Sequence, residues 1–537
     1  MQVSTYRCFL PDLTGFADLH CIGPGSFAIR RLNRKDRRDR KEQKINILCA
    51  LCGLLRLEPG NTIIMFFVRK FLPLILLIPL ILFAEEDSRS RFLLAYYSGE
   101  YERAHVLLKQ AFSDPLTAAV WEERIHLQKK MDGCDFAAKD SLLGLALLRI
   151  GEMEQARSKF GEDWESLLGL ATLSLWENNL PRSRDYISRS LKLSPGRPEL
   201  LFFAGNVAST EGEVEEYFKK YLAQRPEDLL KKTSAEETID FIQKTKGMDL
   251  NVSSLGSEAE TIDSEFSMGR LLVKGKIDGK KSVTLLVDTG AAGLSLKNGN
   301  WQPKLTSNLL MIGLGKKPKA EGTRAVFDQF DAGKFEMKNA VVAISPAFKA
   351  ADIDGVAGTV FFSDYLVLLP MRSGKEMTLF ASSNEDPVAI LQKHGLHFSS
   401  ATTLPFRNIN KMIILKGRVR KSEETLDILV DTGAHRSILA KPAALRHTHV
   451  NDPLSRMANQ KPQLFGLGGQ VEDLLVSDNV DVQIGPLKKN FDRMLALNLA
   501  EISEALELEL DLILGQDFLE GYTLLIDYNH NTITFLR

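Results

Sequence analysis

Leu286–Ala291 reads LVDTGA, and Leu429–Ala434 reads LVDTGA again. Each copy holds one aspartate, Asp288 or Asp431, between an apolar run and a glycine. A single DTG is an ordinary strand-end turn, because Asp and Gly favour turns. Six identical residues on matching apolar flanks instead mark two equivalent loops. Two carboxylates held about 3 Å apart cannot both ionise, so they share one proton. The ionised member then takes a proton from water, while the protonated member donates to the oxygen of a scissile carbonyl. Such chemistry needs neither a covalent intermediate nor a metal, so no cofactor and no metal ligands are expected.

The elements that must carry these loops also occur twice. Arg270–Ile277 turns at Asp278-Gly279 into Val283–Val287, and Met412–Val419 leads into Leu426–Val430. The alternation and the turn chemistry predict paired strands. Gly313-Leu-Gly315 answers Gly466-Leu-Gly468, followed by a hairpin-like stretch, Phe335–Ile344 in one copy and Val480–Leu497 in the other. Each copy closes with an apolar strand that stops at a glycine, Gly358 or Gly515. In that register Asp354, Phe361, Tyr365 and Leu368 fall opposite Asp511, Phe518, Tyr522 and Leu525. The aspartates are 143 residues apart and the closing glycines 157, which puts about 14 extra residues in the second copy, around 446–461. This is a duplicated all-β unit.

Apolar strand, DTGA, a glycine-bearing segment and an apolar run ending in glycine together resemble the retropepsin-like aspartic proteases, with bacterial aspartyl proteases the nearest likeness. The resemblance covers residues 262–537 and implies two lobes, 262–385 and 401–537, joined by a linker at 386–400. It implies Asp288 and Asp431 as the catalytic pair. Thr289 and Thr432 are suited to bonding across to the facing loop, and Gly290 and Gly433 to close backbone approach with N–H groups aimed at the carboxylates. Gly358 and Gly515 would lie under the loops. Gly313, Gly315, Gly466 and Gly468 would belong to flaps over a bound peptide. Asp354 and Asp511 read as structural or surface carboxylates beside the closing strand, and His435 as a solvent-facing side chain. Ser437 lies six residues past Asp431 but Ser295 seven past Asp288, a mismatch that bears on the competence of the first lobe. Alanine after each glycine removes a donor that serine would supply, which predicts a working pH nearer neutral than strongly acidic.

The preceding half is different in kind. Residues 85–230 show helical spacing of apolar positions. Gly99–Ala104 and Gly151–Ala156 repeat one turn-plus-helix phrase, and Asn179–Ser183 is a looser third copy closing at Pro195. With small Gly144 and Ala171 set twelve residues before Ala156 and Ser183, and Pro115 closing the first copy, this resembles the tetratricopeptide repeat. The resemblance implies a surface for a protein partner and no chemistry; a generic helical spacer is the competing reading. Residues 231–261, rich in Lys, Ser, Glu and Thr, read as a linker.

Residues 1–64 carry nine Lys/Arg between Arg30 and Lys44 and read as a disordered basic tail, or as never translated if synthesis starts at Met65. From Met65 to residue 84, Arg69 and Lys70 precede the 14-residue apolar run Phe71–Ala84, the anatomy of a secretory signal. An uncleaved membrane anchor is the alternative, so export to a periplasmic or secreted location is expected. The net charge of −1 gives no reason to expect nucleic acid. Cys49 and Cys52 have metal or redox spacing, but no second pair completes a site, and Cys134 stands alone beyond them.

Two functions follow: an aspartic endopeptidase acting on polypeptide, or an exported binding or scaffold protein that keeps protease-like lobes without cutting. The aspartates can also pair within one chain or between two.

Overall fold

The computed structural model describes residues 92, 101–111, 140–149, 151–226, 228–312, 319–346, 353–419, 425–451, 465–466, 469–470 and 474–537. The basic tail, the apolar run at 71–84, all five cysteines, Pro115, Gly313, Gly315 and Gly468 lie outside them. The Tyr101–Ala111 helix belongs to a separate unit, residues 18–114, and buries Ala104 and Leu108 on one stripe. Among the described residues no helix is long and apolar enough to cross a membrane.

Residues 140–245 form consecutive helices whose ends are set by local chemistry. Asp163 accepts from Ser166 N to start Trp164–Trp176, and Asn179 accepts from Arg182 N to start Leu180–Leu193. Thr210 and Glu213 form a reciprocal capping box at Glu211–Ala223. The small residues sit where helices touch. Ser183 Oγ donates to Ala171 O at 2.8 Å, and a Cβ on Gly144 would lie 3.2 Å from Ala156 O.

The remainder is β-rich and two-fold. In the first lobe an eight-strand path runs Val252–Ser254, Phe335–Ser345, Leu294–Lys297, Gly355–Ala357, Lys281–Val287, Arg270–Ile277, Lys319–Ala332 and Leu305–Ile312. Its counterpart runs Arg407–Ile409, Met412–Val419, Leu426–Val430, Leu512–Leu514, Ile438–Ala440, Leu487–Leu497, Leu475–Ile484 and His449–Asn451. The repeat shows in the pairings. The strand before each DTGA runs parallel to the strand before the closing glycine, with Val287 opposite Ala357 and Val430 opposite Leu514. Asp278 and Gly279 both have positive φ, 52° and 65°, which gives the tight turn that the Asp-Gly pair foretells.

A six-stranded antiparallel sheet joins the lobes: Ala401–Pro405, Thr532–Leu536, Thr523–Asp527, Tyr365–Pro370, Met377–Ala381 and Ala259–Ile262. Three strands come from each half. Leu368 faces Leu525 at the central seam, so the duplication's equivalent residues meet on its own pseudo-axis. Val367, Leu369, Leu524 and Ile526 are fully buried there, each contributing about 1.5–3 kcal/mol.

Five expectations need correcting. Residues 231–261 are not a linker: Leu229–Thr245 is a helix capped by Asp228, and Val252–Ser254 and Ala259–Ile262 are strands of the two sheets. The helical region therefore extends past 230, and the first lobe begins before 262. Lys- and Glu-rich composition hid the helix because only one face is buried, through Ala235, Phe241 and Ile242. The presumed linker 386–400 holds the helix Pro387–Lys393, capped by Asp386. Phe335–Ile344 is one strand, not a hairpin; its antiparallel partner is Lys319–Ala332.

Candidate active site

The two DTGA loops leave adjacent parallel strands of their own lobes and meet. In each, the backbone at the aspartate is fixed to the closing strand: Asp288 N donates to Ala357 O and Asp431 N to Leu514 O, both at 3.0 Å. The threonines then reach across. Thr289 N donates to Thr432 Oγ1 at 3.0 Å and Thr432 N to Thr289 Oγ1 at 3.1 Å. Their hydroxyls donate onward, Thr289 Oγ1 to Val430 O at 2.7 Å and Thr432 Oγ1 to Val287 O at 2.8 Å. Both side chains are fully buried, so the four bonds form a closed set with no water to substitute for any member.

Above this lock the carboxyl groups face one another. Gly290 N donates to Asp288 Oδ1 at 2.8 Å, while Gly433 N and Ala434 N donate to Asp431 Oδ1 at 2.9 and 2.8 Å. Each glycine lies against the opposite aspartate. A Cβ on Gly290 would be 2.7 Å from Asp431 Cγ, and one on Gly433 would be 2.5 Å from Asp288 Cγ. No side chain larger than hydrogen fits at either position.

The two aspartates are half-buried. Burial, then the charge of Asp431 and a hydrogen bond with it, holds the Asp288 proton well above the usual carboxylate range. Burial also raises Asp431, offset by hydrogen bonds from Asp288 and from the Ala434 and Gly433 N–H groups. Two carboxyl groups this close favour a single proton held between them, so they titrate as a pair.

The closing glycines lie under the loops. A Cβ on Gly358 would sit 2.6 Å from Gly293 O, and one on Gly515 2.8 Å from Ala434 O. Asp354 and Asp511 occupy equivalent structural positions: each carboxylate accepts a backbone N–H, from Thr284 and Asp427 respectively, at 3.0 Å. His435 is exposed and lies beside the Met268-Gly269 turn of the first lobe. Gly466 belongs to a short ribbon in which it pairs with Gly469. Strands Leu305–Ile312 and Lys319–Ala332 pair up to Ile312 and Lys319, on either side of the segment that holds Gly313 and Gly315.

The lobes differ in what braces the loop. In the second, Ser437 Oγ donates to Asp517 Oδ1 at 2.6 Å and accepts from Gly515 N at 3.0 Å, and Gln516 Nε2 donates to Thr432 O at 2.6 Å. Strand pairing makes Leu294, not Ser295, the counterpart of Ser437, since Leu294 faces Ala357 and Ser295 is paired with Val356. There Gly358 N donates to Gly293 O instead. The first loop is therefore braced mainly by backbone, with one long side-chain bond from Thr359 Oγ1 to Ala291 O at 3.4 Å. Gln516 and Asp517 escaped the sequence reading, although Gly515-Gln-Asp directly follows the closing strand. Among the described residues no group of three or more His, Cys, Asp or Glu is placed to hold a metal ion.

No protein-family profile matches the chain, and no curated protein matches it. Among solved structures it is similar to basic 7S globulin from soybean, at 12% identity and TM-score 0.31, over 52% of this chain and 95% of that one. It is also similar to conglutin gamma, a basic 7S globulin from lupine seeds, at 11% identity and TM-score 0.33, over 52% and 95%.

Proposed function

We propose that the chain is an aspartic endopeptidase in which Asp288 and Asp431, one from each lobe, share a proton and activate a water against a peptide bond. The reciprocal bonding of Thr289 and Thr432 carries this reading. It aligns two carboxyl groups at the mid-line of the duplicated unit, within one chain. Asp431, ionised, takes a proton from water as that water attacks the carbonyl carbon. Asp288, protonated, donates to the carbonyl oxygen. The tetrahedral diol then collapses: Asp431 passes its proton to the leaving nitrogen, Asp288 recovers one from a diol hydroxyl, and the starting pair is restored. The lobes are retropepsin-like in this reading, and the helical region is a tetratricopeptide-like module that holds a substrate or partner. The apolar run at 71–84 exports the protein or anchors it.

The deciding experiment is digestion of a mixed peptide library by wild type and by Asp431→Asn, with and without pepstatin, a mimic of the tetrahedral state. Cleavage by wild type that pepstatin and the substitution both abolish is expected. A wild-type protein that binds peptides without cutting any would instead make the lobes a binding module.

A further inference from the structure

The helix Leu229–Thr245 lies along the outer edge of strand Leu305–Ile312, the last strand of the first lobe's sheet. An edge strand leaves every second N–H and C=O pointing outward without a ladder partner. Here two of them are taken by the helix. Glu237 Oε2 accepts from Leu310 N at 3.0 Å, and Lys244 Nζ donates to Thr306 O at 3.2 Å. The parities agree. Glu237 and Lys244 are seven residues apart, two turns on one helix face, spanning about 10.5 Å. Thr306 and Leu310 are four apart on one strand edge, spanning about 13.6 Å. Helix and strand therefore run antiparallel, with an acceptor at one end of the contact and a donor at the other. Between them Phe241 is buried with Val326, Val341, Leu250 and Leu305, and the Arg324 guanidinium stacks on its ring at 4.7 Å.

The same strand touches the second lobe through helix Ala500–Leu506. Soon after that helix, Glu509 N donates to Arg149 O of the helical region at 2.8 Å. The hairpin formed by Leu305–Ile312 and Lys319–Ala332 thus meets the helical region through Leu229–Thr245 and the second lobe through Ala500–Leu506.

We infer that Glu237 is a positioning residue, lent by the helical region to the protease-like unit, which fixes the hairpin Leu305–Ile312/Lys319–Ala332 and thereby the fit of a polypeptide between the lobes. The consequence for peptide rests on the peptidase reading; the consequence for the hairpin does not. A charged acceptor on a backbone N–H is a strong single tether, and nothing else on this helix replaces it at Leu310. The helical region is then part of the substrate-handling surface, beyond any part it plays in holding a partner.

The test uses the full chain with Glu237→Ala and Glu237→Gln, read by amide hydrogen exchange and by steady-state cleavage of a peptide chosen from the library. In Glu237→Ala, exchange across 305–312 should rise on the order of tenfold, while 365–370 and 523–527 in the central sheet stay at the wild-type rate. KM should rise several-fold with kcat within about twofold. Glu237→Gln, whose amide oxygen can still accept from Leu310 N, should restore both. Unchanged exchange at 305–312 in Glu237→Ala, a rise shared equally by the central sheet, or a Gln variant that behaves like Ala would overturn the assignment. If wild type cuts no peptide, the exchange result still decides the role of Glu237, and only the peptidase reading falls.

Discussion

Thr289 and Thr432 each give the other a backbone N–H and receive one on the hydroxyl, at 3.0 and 3.1 Å, from positions 143 residues apart in the chain. Removing either hydroxyl strands a buried amide on the opposite loop and a buried carbonyl, Val430 O or Val287 O. Thr289→Ala and Thr432→Ala should each lose about 2–4 kcal/mol of stability, because unsatisfied buried groups cost about 1–3 kcal/mol apiece. Thr→Ser at the same sites should lose far less. Denaturant titration of the four variants checks this, and equal losses for Ala and Ser would contradict it.

Gly290 and Gly433 back onto the opposite carboxyl at distances that leave no room for a methyl group. Gly290→Ala and Gly433→Ala should force the aspartates apart and reduce kcat/KM by at least about a hundredfold, as a displacement of about 1 Å does in a positioned site. Cleavage assays on folded variants test it. Near-wild-type turnover in either would mean the two carboxyls do not act together.

Sharing a proton fixes how both activity and stability follow pH. Activity needs one carboxyl charged and one neutral, so it should rise as the pair loses its first proton and fall as it loses its second, which burial and the neighbouring charge hold well above the ordinary range. The optimum should therefore lie nearer neutral than about pH 3. A profile that peaks there and is lost by about pH 6 would contradict it. Stability runs with the same sign. A carboxyl whose folded value is raised contributes fully below its unfolded value, and that contribution is lost as pH rises through the folded one. Asp288→Asn, neutral throughout, should melt higher than wild type at neutral pH, with the gap closing in acid. Each kcal/mol recovered should give roughly 2–4 °C.

The unequal bracing of the loops predicts an unequal response. Ser437→Ala leaves Gly515 N without its acceptor and Asp517 with one donor fewer, and should cost about 1–3 kcal/mol. Ser295→Ala, one position past the first-lobe counterpart of Ser437, should stay within about 0.5 kcal/mol. Thermal melts of the two separate these outcomes.

Much of this site is visible in the sequence because duplication shows the same requirement twice. A loop that must turn tightly, bond across and leave space for a facing carboxyl admits few residues, so DTGA recurs intact. Gly358 and Gly515 were readable for the same reason: backbone approaches backbone there, and only glycine allows it. The Asp354 and Asp511 pair also fell where a structural carboxylate is needed. The helix Leu229–Thr245 was not legible, because its buried face is narrow and is completed by residues distant in sequence such as Val326 and Val341. Counting six residues past Asp288 lands on Leu294, the counterpart of Ser437 that strand pairing also gives, so this difference between the lobes is visible in the sequence. Gln516 and Asp517 act through contacts with Thr432 and Ser437, partners distant in the chain that residue order does not reveal.

The most direct test mixes two inactive chains. Asp288→Asn and Asp431→Asn are purified separately, assayed alone and then together at equal concentration on a peptide that wild type cuts. Silence in both single variants and in the mixture is predicted, since each chain supplies both halves of its own pair. Cleavage by either variant alone, or activity regained on mixing, would contradict a proton shared between Asp288 and Asp431 of one molecule.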